Sequence, residues 1–167
     1  KITVVVLLIR AFAVVAILLL HFILIIGPMA RLDRRLLPLL YNRRHLGVSM
    51  FLLALLHSLL AILTYHFGGE TNMFVSIFTS DAGATMGSFP FQAFGFFALL
   101  ILFVMAATSH DFWLANLTAP IWKALHMLVY LAYVFIIFHV AFGVLQAETH
   151  WFYALVTGLG LLTVSGL

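Results

Sequence analysis

Two histidines, His126 and His139, lie thirteen residues apart in one uninterrupted apolar run, and a third, His57, lies in the middle of another. Apolar runs close to the roughly 20 residues that a bilayer requires predict membrane-spanning helices. An imidazole is costly in hydrocarbon unless its nitrogens are satisfied, so ionisable residues within a span are candidates for function. At about 1.5 Å per residue, His126 and His139 are roughly 20 Å apart along a helix. This spacing suits two stacked redox centres, or one redox centre and a second polar site.

The composition excludes a water-soluble protein. Charged residues make up 8% of the chain and apolar residues 65%, whereas a soluble domain has about 25% charged residues. The chain contains no cysteine, which excludes thiolate-bound iron–sulfur clusters, zinc ribbons and covalent haem attachment within this segment. Any haem in this segment must therefore be held non-covalently by axial histidines.

Five apolar segments predict an all-α, polytopic transmembrane bundle of five helices. The segments cover about Ile2 to Ile26, Leu46 to Phe67, Phe91 to Thr108, Ile121 to Val144 and Trp151 to Leu167. Gly27-Pro28 is predicted to end the first helix, and Pro120 to lie in the first turn of the fourth. A short apolar piece, Met73 to Phe78, is predicted to lie at the membrane interface.

Most of the basic residues are concentrated between the first two segments, at Arg31, Arg34, Arg35, Arg43 and Arg44. This asymmetry is a topology signal rather than a nucleic-acid-binding patch, and it predicts that this loop is cytoplasmic. The second and fourth helices then run outward. The loop from Gly68 to Ser88, which contains no Lys or Arg, is predicted to be external.

The two outward-running helices place His57 and His139 at similar depths in the outer half of the membrane. Haem iron can be held by two neutral imidazoles, so these residues are the predicted axial ligands of an outer haem. His126 lies one to two turns from the cytoplasmic end and needs a different partner, for which His45 is a candidate. Successive helical residues differ by about 100°, so His126 and His139 do not share a stripe, and His45 is about 120° round the helix from His57.

Several other polar residues have weaker predicted roles. Arg10 lies well inside the first apolar segment, where its permanent charge needs an anion, and a haem propionate is the predicted one. Snorkelling of Arg10 to the interface is the alternative. His66 and His150 are predicted at the outer face, His21 in a core hydrogen bond, and His110 in a loop or cap.

Two stretches resemble the haem helices of the ferric reductase-like transmembrane superfamily. Arg43-Arg44-His45-Leu46-Gly47, followed ten residues after the glycine by His57, is similar to the first haem helix. Trp122-x-x-Leu-His126, followed by His139, is similar to the second. The haem membrane subunit of the bacterial periplasmic methionine sulfoxide reductase system is a close resemblance. Closer still are bacterial proteins that join this domain to a Rieske-type iron–sulfur domain and share the run Leu-Leu-Tyr-Asn-Arg-Arg-His-Leu-Gly.

The resemblance implies one haem-binding transmembrane domain over residues 1–167, with one or two haem b groups, in a multi-pass protein of the bacterial inner membrane. The family has six helices, so an N-terminal helix is expected to be missing and the chain to be part of a longer redox protein or complex. Full ferric reductases carry a further histidine where this chain has Arg43. The resemblance therefore implies that an inner haem has one family ligand, His126.

The predicted function is electron transfer through haem b to or from a partner redox protein. The partner implied by the resemblance is a Rieske-type domain, whose [2Fe-2S] cluster would lie outside this segment, and membrane lipid surrounds the helices. A quinol- or metal-oxidoreductase using the same haems is the main alternative, with a substrate site near His66, Glu70 or Arg10. A haem-free transporter or assembly subunit is a third, which an absorption spectrum would separate.

The orientation can be tested with single cysteines introduced at Asn42 and Ala82. An impermeant thiol reagent added to intact cells is expected to label the cysteine at position 82 and not the one at position 42, because the arginine-rich loop stays inside. Permeabilised cells, in which both positions are reachable, provide the control. The reverse labelling pattern would overturn the assignment of inner and outer ends.

Overall fold

The computed structural model describes residues 3–67, 71–79, 90–143, 145 and 151–165. The predicted site residues Glu70 and His150 lie outside these described residues. The helices are α1 Val4–Leu32, α2 Leu37–Tyr65, α3 Met73–Phe78, α4 Phe91–Ala107, α5 Asp111–Asn116, α6 Ala119–Phe142 and α7 Trp151–Ser165. The five long helices correspond to the five predicted segments, so the predicted all-α bundle is confirmed.

The connection between α1 and α2 is shorter than predicted. The expectation that Gly27-Pro28 ends the first helix is wrong, because α1 continues to Leu32. A 3-10 turn, Arg34–Leu36, follows, and α2 begins at Leu37 rather than Leu46. Leucine and arginine both favour helix, so the two helices extend through the basic stretch beyond their apolar parts. Pro28 has no backbone N–H, so α1 lacks one helical hydrogen bond at this position. The position is close to the end of α1, where only about one further turn follows.

The long helices form two antiparallel hairpins. The first hairpin is α1 packed along α2, and the second is α4 packed along α6. Contacts between α2 and α4 join the hairpins, and α7 packs on α1. Proline at the start of α6, as predicted for Pro120, fits a position where its missing N–H has no helical partner to lose.

The apolar core lies between the two hairpins, and its residues come from four helices. It contains Leu20, Ile23, Leu24, Met50, Phe51, Leu102, Val129, Ala132 and Tyr133. Many large apolar side chains elsewhere on α1, α2, α4 and α6 are exposed, as expected of helices whose outer surfaces face lipid rather than water.

Three helical stretches are long and apolar enough to cross a membrane: Val4–Leu32, Arg34–Tyr65 and Ala119–Phe142. Phe91–Ala107 and Trp151–Leu162 are shorter apolar helices. Lengths and composition together identify a multi-pass membrane protein. The arginine-rich end of the bundle is defined here as the end where α1 meets α2, and the opposite end is where α1 and α4 begin.

Candidate functional site

His57 of α2 and His139 of α6 face each other between the two hairpins. Their ring centroids are 6.3 Å apart, and the ring planes are inclined by 79°. A metal–imidazole bond is about 2 Å long, and each ring centre lies roughly 1 Å behind its nitrogen, so two imidazoles on opposite sides of one metal ion have centres about 6 Å apart. The observed centroid separation of 6.3 Å is close to this distance.

Each of these rings is oriented by a backbone carbonyl of the neighbouring helix in its own hairpin. His57 Nδ1 lies 2.9 Å from the carbonyl oxygen of Ile9, and His139 Nδ1 lies 2.9 Å from that of Phe91. A carbonyl oxygen can only accept, so both Nδ1 atoms carry the proton and donate it. In a neutral imidazole the Nε2 atom then keeps its lone pair, which is the tautomer needed for metal binding.

Gly95 of α4 allows His139 to take its position. A Cβ atom at Gly95 would lie 2.8 Å from His139 Nδ1 and 2.9 Å from its Cε1. These distances are shorter than van der Waals contact, so any larger residue at position 95 has to displace the ring. The Phe91 ring packs on the same imidazole with centroids 5.4 Å apart.

A cavity of about 660 Å³ contains both histidines, and it is lined mostly by apolar side chains of α1, α2, α4, α6 and α7. Its volume is within the roughly 300–1,000 Å³ typical of small-molecule and cofactor sites. Arg10 lines the cavity as well. It directly follows Ile9, whose carbonyl holds His57, so the arginine backbone is at the depth of the histidine pair.

His66 also lines this cavity, at the C-terminal end of α2. Its Nδ1 atom shares a hydrogen bond of 2.8 Å with Ser76 Oγ of the short helix α3. Partial burial lowers the pKa of the His66 imidazole, which favours its neutral form. Ile77 of α3 is buried against the same cavity, and α3 therefore forms part of its wall at the end opposite the arginine-rich one.

His126 lies about 20 Å from His139 along α6 and has different surroundings. Its Nδ1–H donates to the carbonyl oxygen of Trp122 at 3.0 Å, and its ring stacks on the Trp122 indole with centroids 3.9 Å apart. Its Nε2 atom faces Ser109 Oγ at 3.3 Å. The structure therefore brings His57 and His139 together, and leaves His126 in a separate position.

The remaining predicted residues of the arginine-rich end lie on α2. The Arg43 guanidinium lies beside Gly27 of α1, where an added Cβ would be 3.5 Å from Nη1. Arg44 Nη1 forms an ion pair with Asp111 Oδ1 at 2.6 Å. The side chain of His45 is exposed.

Two minor predictions about histidines are confirmed. His21 is buried and forms a hydrogen bond of 2.9 Å between its Nε2 atom and Tyr133 Oη. His110 precedes α5, and its Nδ1 atom accepts from the backbone N–H of Phe112 at 3.2 Å, which is a cap. The roles of the Ile9 and Phe91 carbonyls and of Gly95 were not predicted from the sequence. A single glycine inside an apolar helix was an available signal for close packing at position 95.

The sequence of the chain also matches a known protein family. A family model described as the ferric reductase like transmembrane component matches residues 11–137. The chain belongs to this family. No curated protein and no solved structure matches it.

The family match includes His57 and His126 and ends two residues before His139, so the case for His139 in this ferric reductase-like chain rests on its geometry. Among the described residues, His, Cys, Asp and Glu side chains do not come together in groups of three or more. A pair of neighbouring imidazoles would fit haem, which needs few ligands from the protein and can be held by histidines.

Replacing Gly95 with Ala tests the packing at His139. The added methyl group has to move the imidazole, and overpacking of this kind costs about 1–3 kcal/mol, which corresponds to several degrees in Tm for a chain of this length. Thermal denaturation in detergent measures it. Gly47→Ala is the matched control, because nothing lies within 4 Å of a Cβ at Gly47. Equal melting temperatures for the two variants would refute the proposed contact.

Proposed function

We propose that this chain is a b-type cytochrome module that transfers electrons within the membrane, with haem held axially by His57 and His139. The observation that carries the proposal is the facing pair of imidazoles, each with its proton fixed on Nδ1 by a backbone carbonyl. Their separation suits one iron atom between them. Membership of the ferric reductase-like family supports an electron-transfer role, and the surrounding cavity supports a cofactor of porphyrin size.

Arg10 is the proposed partner of a haem propionate. Its guanidinium is permanently charged and is placed on the same cavity as the two histidines. A propionate carboxylate would complement that positive charge inside the apolar cavity. The alternative for Arg10 is to extend its head group along the cavity to the membrane surface.

Haem, when bound, supplies one-electron chemistry at iron. The contribution of the chain is to orient two imidazoles, to exclude water with apolar side chains, and to place a positive charge near the propionates. His57 and His139 would together hold the haem iron, and a haem held in this way would offer no open position for a substrate. Electrons must therefore pass to a partner, and a Rieske-type iron–sulfur domain is the proposed partner, with its cluster outside these residues.

A quinol-oxidising function is the second candidate. His66 and Gln92 line the same cavity at the end opposite the arginine-rich one, and a neutral imidazole there can accept a proton from a quinol hydroxyl. The proposed location for either function is the bacterial inner membrane, with the arginine-rich end in the cytoplasm.

His126 is proposed as the family ligand of a second, inner haem. The opposite position holds Arg43, so a second haem there has to be five-coordinate, absent, or completed by another residue such as His45. The exposed position of His45 and the Ser109 hydroxyl in front of His126 Nε2 both favour an inner site that is weaker than the outer one.

His57→Ala and His139→Ala are each expected to abolish the outer haem. The purified protein should show a low-spin b-type spectrum, because two imidazoles ligate the iron. Either substitution removes one axial ligand, and pyridine haemochrome assay should then show the loss of one haem per chain. His110→Ala, which alters only the cap of α5, is the control. A His57→Ala protein with unchanged haem content and spin state would contradict the assignment.

His45→Ala tests the inner site. If His45 completes an inner haem, the variant should lose or change that component in a redox titration followed by absorbance, while the outer component stays constant. His126→Ala should remove the same inner component. Two low-spin components that are indifferent to His45 would mean that a different group ligates the inner iron.

A further inference from the structure

The two proposed ligands, His57 and His139, belong to different hairpins. In the first hairpin, the Ile9 carbonyl of α1 orients His57 of α2. In the second hairpin, the Phe91 carbonyl of α4 orients His139 of α6. Each hairpin thus contains one proposed ligand together with the carbonyl that orients it. The distance between the two imidazoles then depends on how the hairpins are held against each other.

A buried hydrogen bond joins the two hairpins between α1 and α6. His21 Nε2 lies 2.9 Å from Tyr133 Oη, and both side chains are buried, with 8% and 2% of their surface exposed. Their rings also meet edge to face, with centroids 5.5 Å apart. Tyr133 belongs to the apolar core. In such surroundings a lost hydrogen bond is not replaced by water, so the pair resists separation of α1 from α6.

Gly160 of α7 packs directly against the His21–Tyr133 pair. A Cβ atom at Gly160 would lie 1.9 Å from His21 Nε2 and 2.6 Å from Tyr133 Oη, so only glycine fits at this position. Gly158, two residues earlier in the same helix, has nothing within 4 Å of its Cβ position. Further toward its N-terminus, α7 lines the cavity through Tyr153, Val156 and Thr157. One helix therefore contacts both the buried pair and the cavity.

We propose that the His21–Tyr133 hydrogen bond, covered by Gly160, fixes the separation of the two hairpins and thereby the distance between His57 and His139. This inference rests on the proposed haem ligation. His21 and Tyr133 are positioning residues that act through the ligands rather than on the iron. The inference also makes α7, which lies beyond the family match, a necessary part of the haem site.

Tyr133 and Gly160 affect the site in different ways. Removing the Tyr133 hydroxyl keeps the ring and its packing but leaves His21 Nε2 without that partner, so the hairpins can shift by a small amount. A bulkier residue at position 160 pushes directly on the pair and displaces α7. Small shifts change the length and angle of the axial bonds, while a displaced α7 opens the cavity and releases haem.

Four proteins test the proposal: the wild type, Tyr133→Phe, Gly160→Ala and Gly158→Ala, each purified with haem in detergent. The measurements are haem content, the g values of the low-spin ferric signal, and the rate of haem loss to excess apomyoglobin. Gly160→Ala is expected to lose haem roughly 10- to 100-fold faster than the wild type, the scale seen when outer-shell residues of metal sites are replaced. Gly158→Ala should match the wild type.

Tyr133→Phe keeps the test valid if Gly160→Ala does not fold. It is expected to retain haem but to show a shifted largest g value, because that value responds to the relative orientation of the axial rings. A purely structural role would lower its thermal stability and leave the g values unchanged, and that result would overturn the inference. Gly160→Ala losing haem no faster than Gly158→Ala would also overturn it. A wild type without haem would instead refute the proposed function.

Discussion

The hydrogen bond from each histidine Nδ1 to a carbonyl of the adjacent helix is the interaction on which the site depends. It sets the tautomer, because the proton is on Nδ1 and the lone pair is left on Nε2 of His57 and His139. A helical carbonyl already accepts from an N–H one turn later, but its oxygen has a second lone pair that can accept from a side chain. The site therefore needs no additional polar residue to orient its ligands, which suits an apolar bundle.

Antiparallel packing makes these carbonyls available at the correct depth. Ile9 lies near the start of α1 and Phe91 at the start of α4, and the helices that carry the histidines run back along them. The same packing places Arg10 on the cavity and brings the Phe91 ring against His139. At the arginine-rich end, the Trp122 indole donates to the carbonyl of Thr108 and stacks on His126, so this end of the second hairpin is held by different contacts.

The five helices could be predicted from the sequence, because they follow from the lengths of apolar runs. The pairing of His57 with His139 was predicted from their depths along those runs together with the family resemblance. The structure places the two rings close together, and their shared ligation of a haem stays a prediction. The end of α1 was predicted wrongly at Gly27-Pro28, because hydropathy marks where a helix leaves the hydrocarbon and not where helical hydrogen bonding stops. The roles of Ile9, Gly95 and the His21–Tyr133 pair depend on which faces of separate helices meet. The faces through which two separate helices pack cannot be read directly from a single sequence.

The distribution of the two proposed ligands over two hairpins has a consequence for how the protein is assembled. The N-terminal part of a chain is synthesised and inserted before the C-terminal part, so the first hairpin, with His57 already oriented by Ile9, is complete while α6 is still to be made. During that interval, one imidazole with an unprotonated Nε2 faces an unfinished cavity. With the proposed ligands, a cofactor that arrives early would gain only one of them, and firm retention would wait for insertion of α6 and α7. Under the proposed ligation, completion of the site therefore follows insertion of α6, the helix that carries His139.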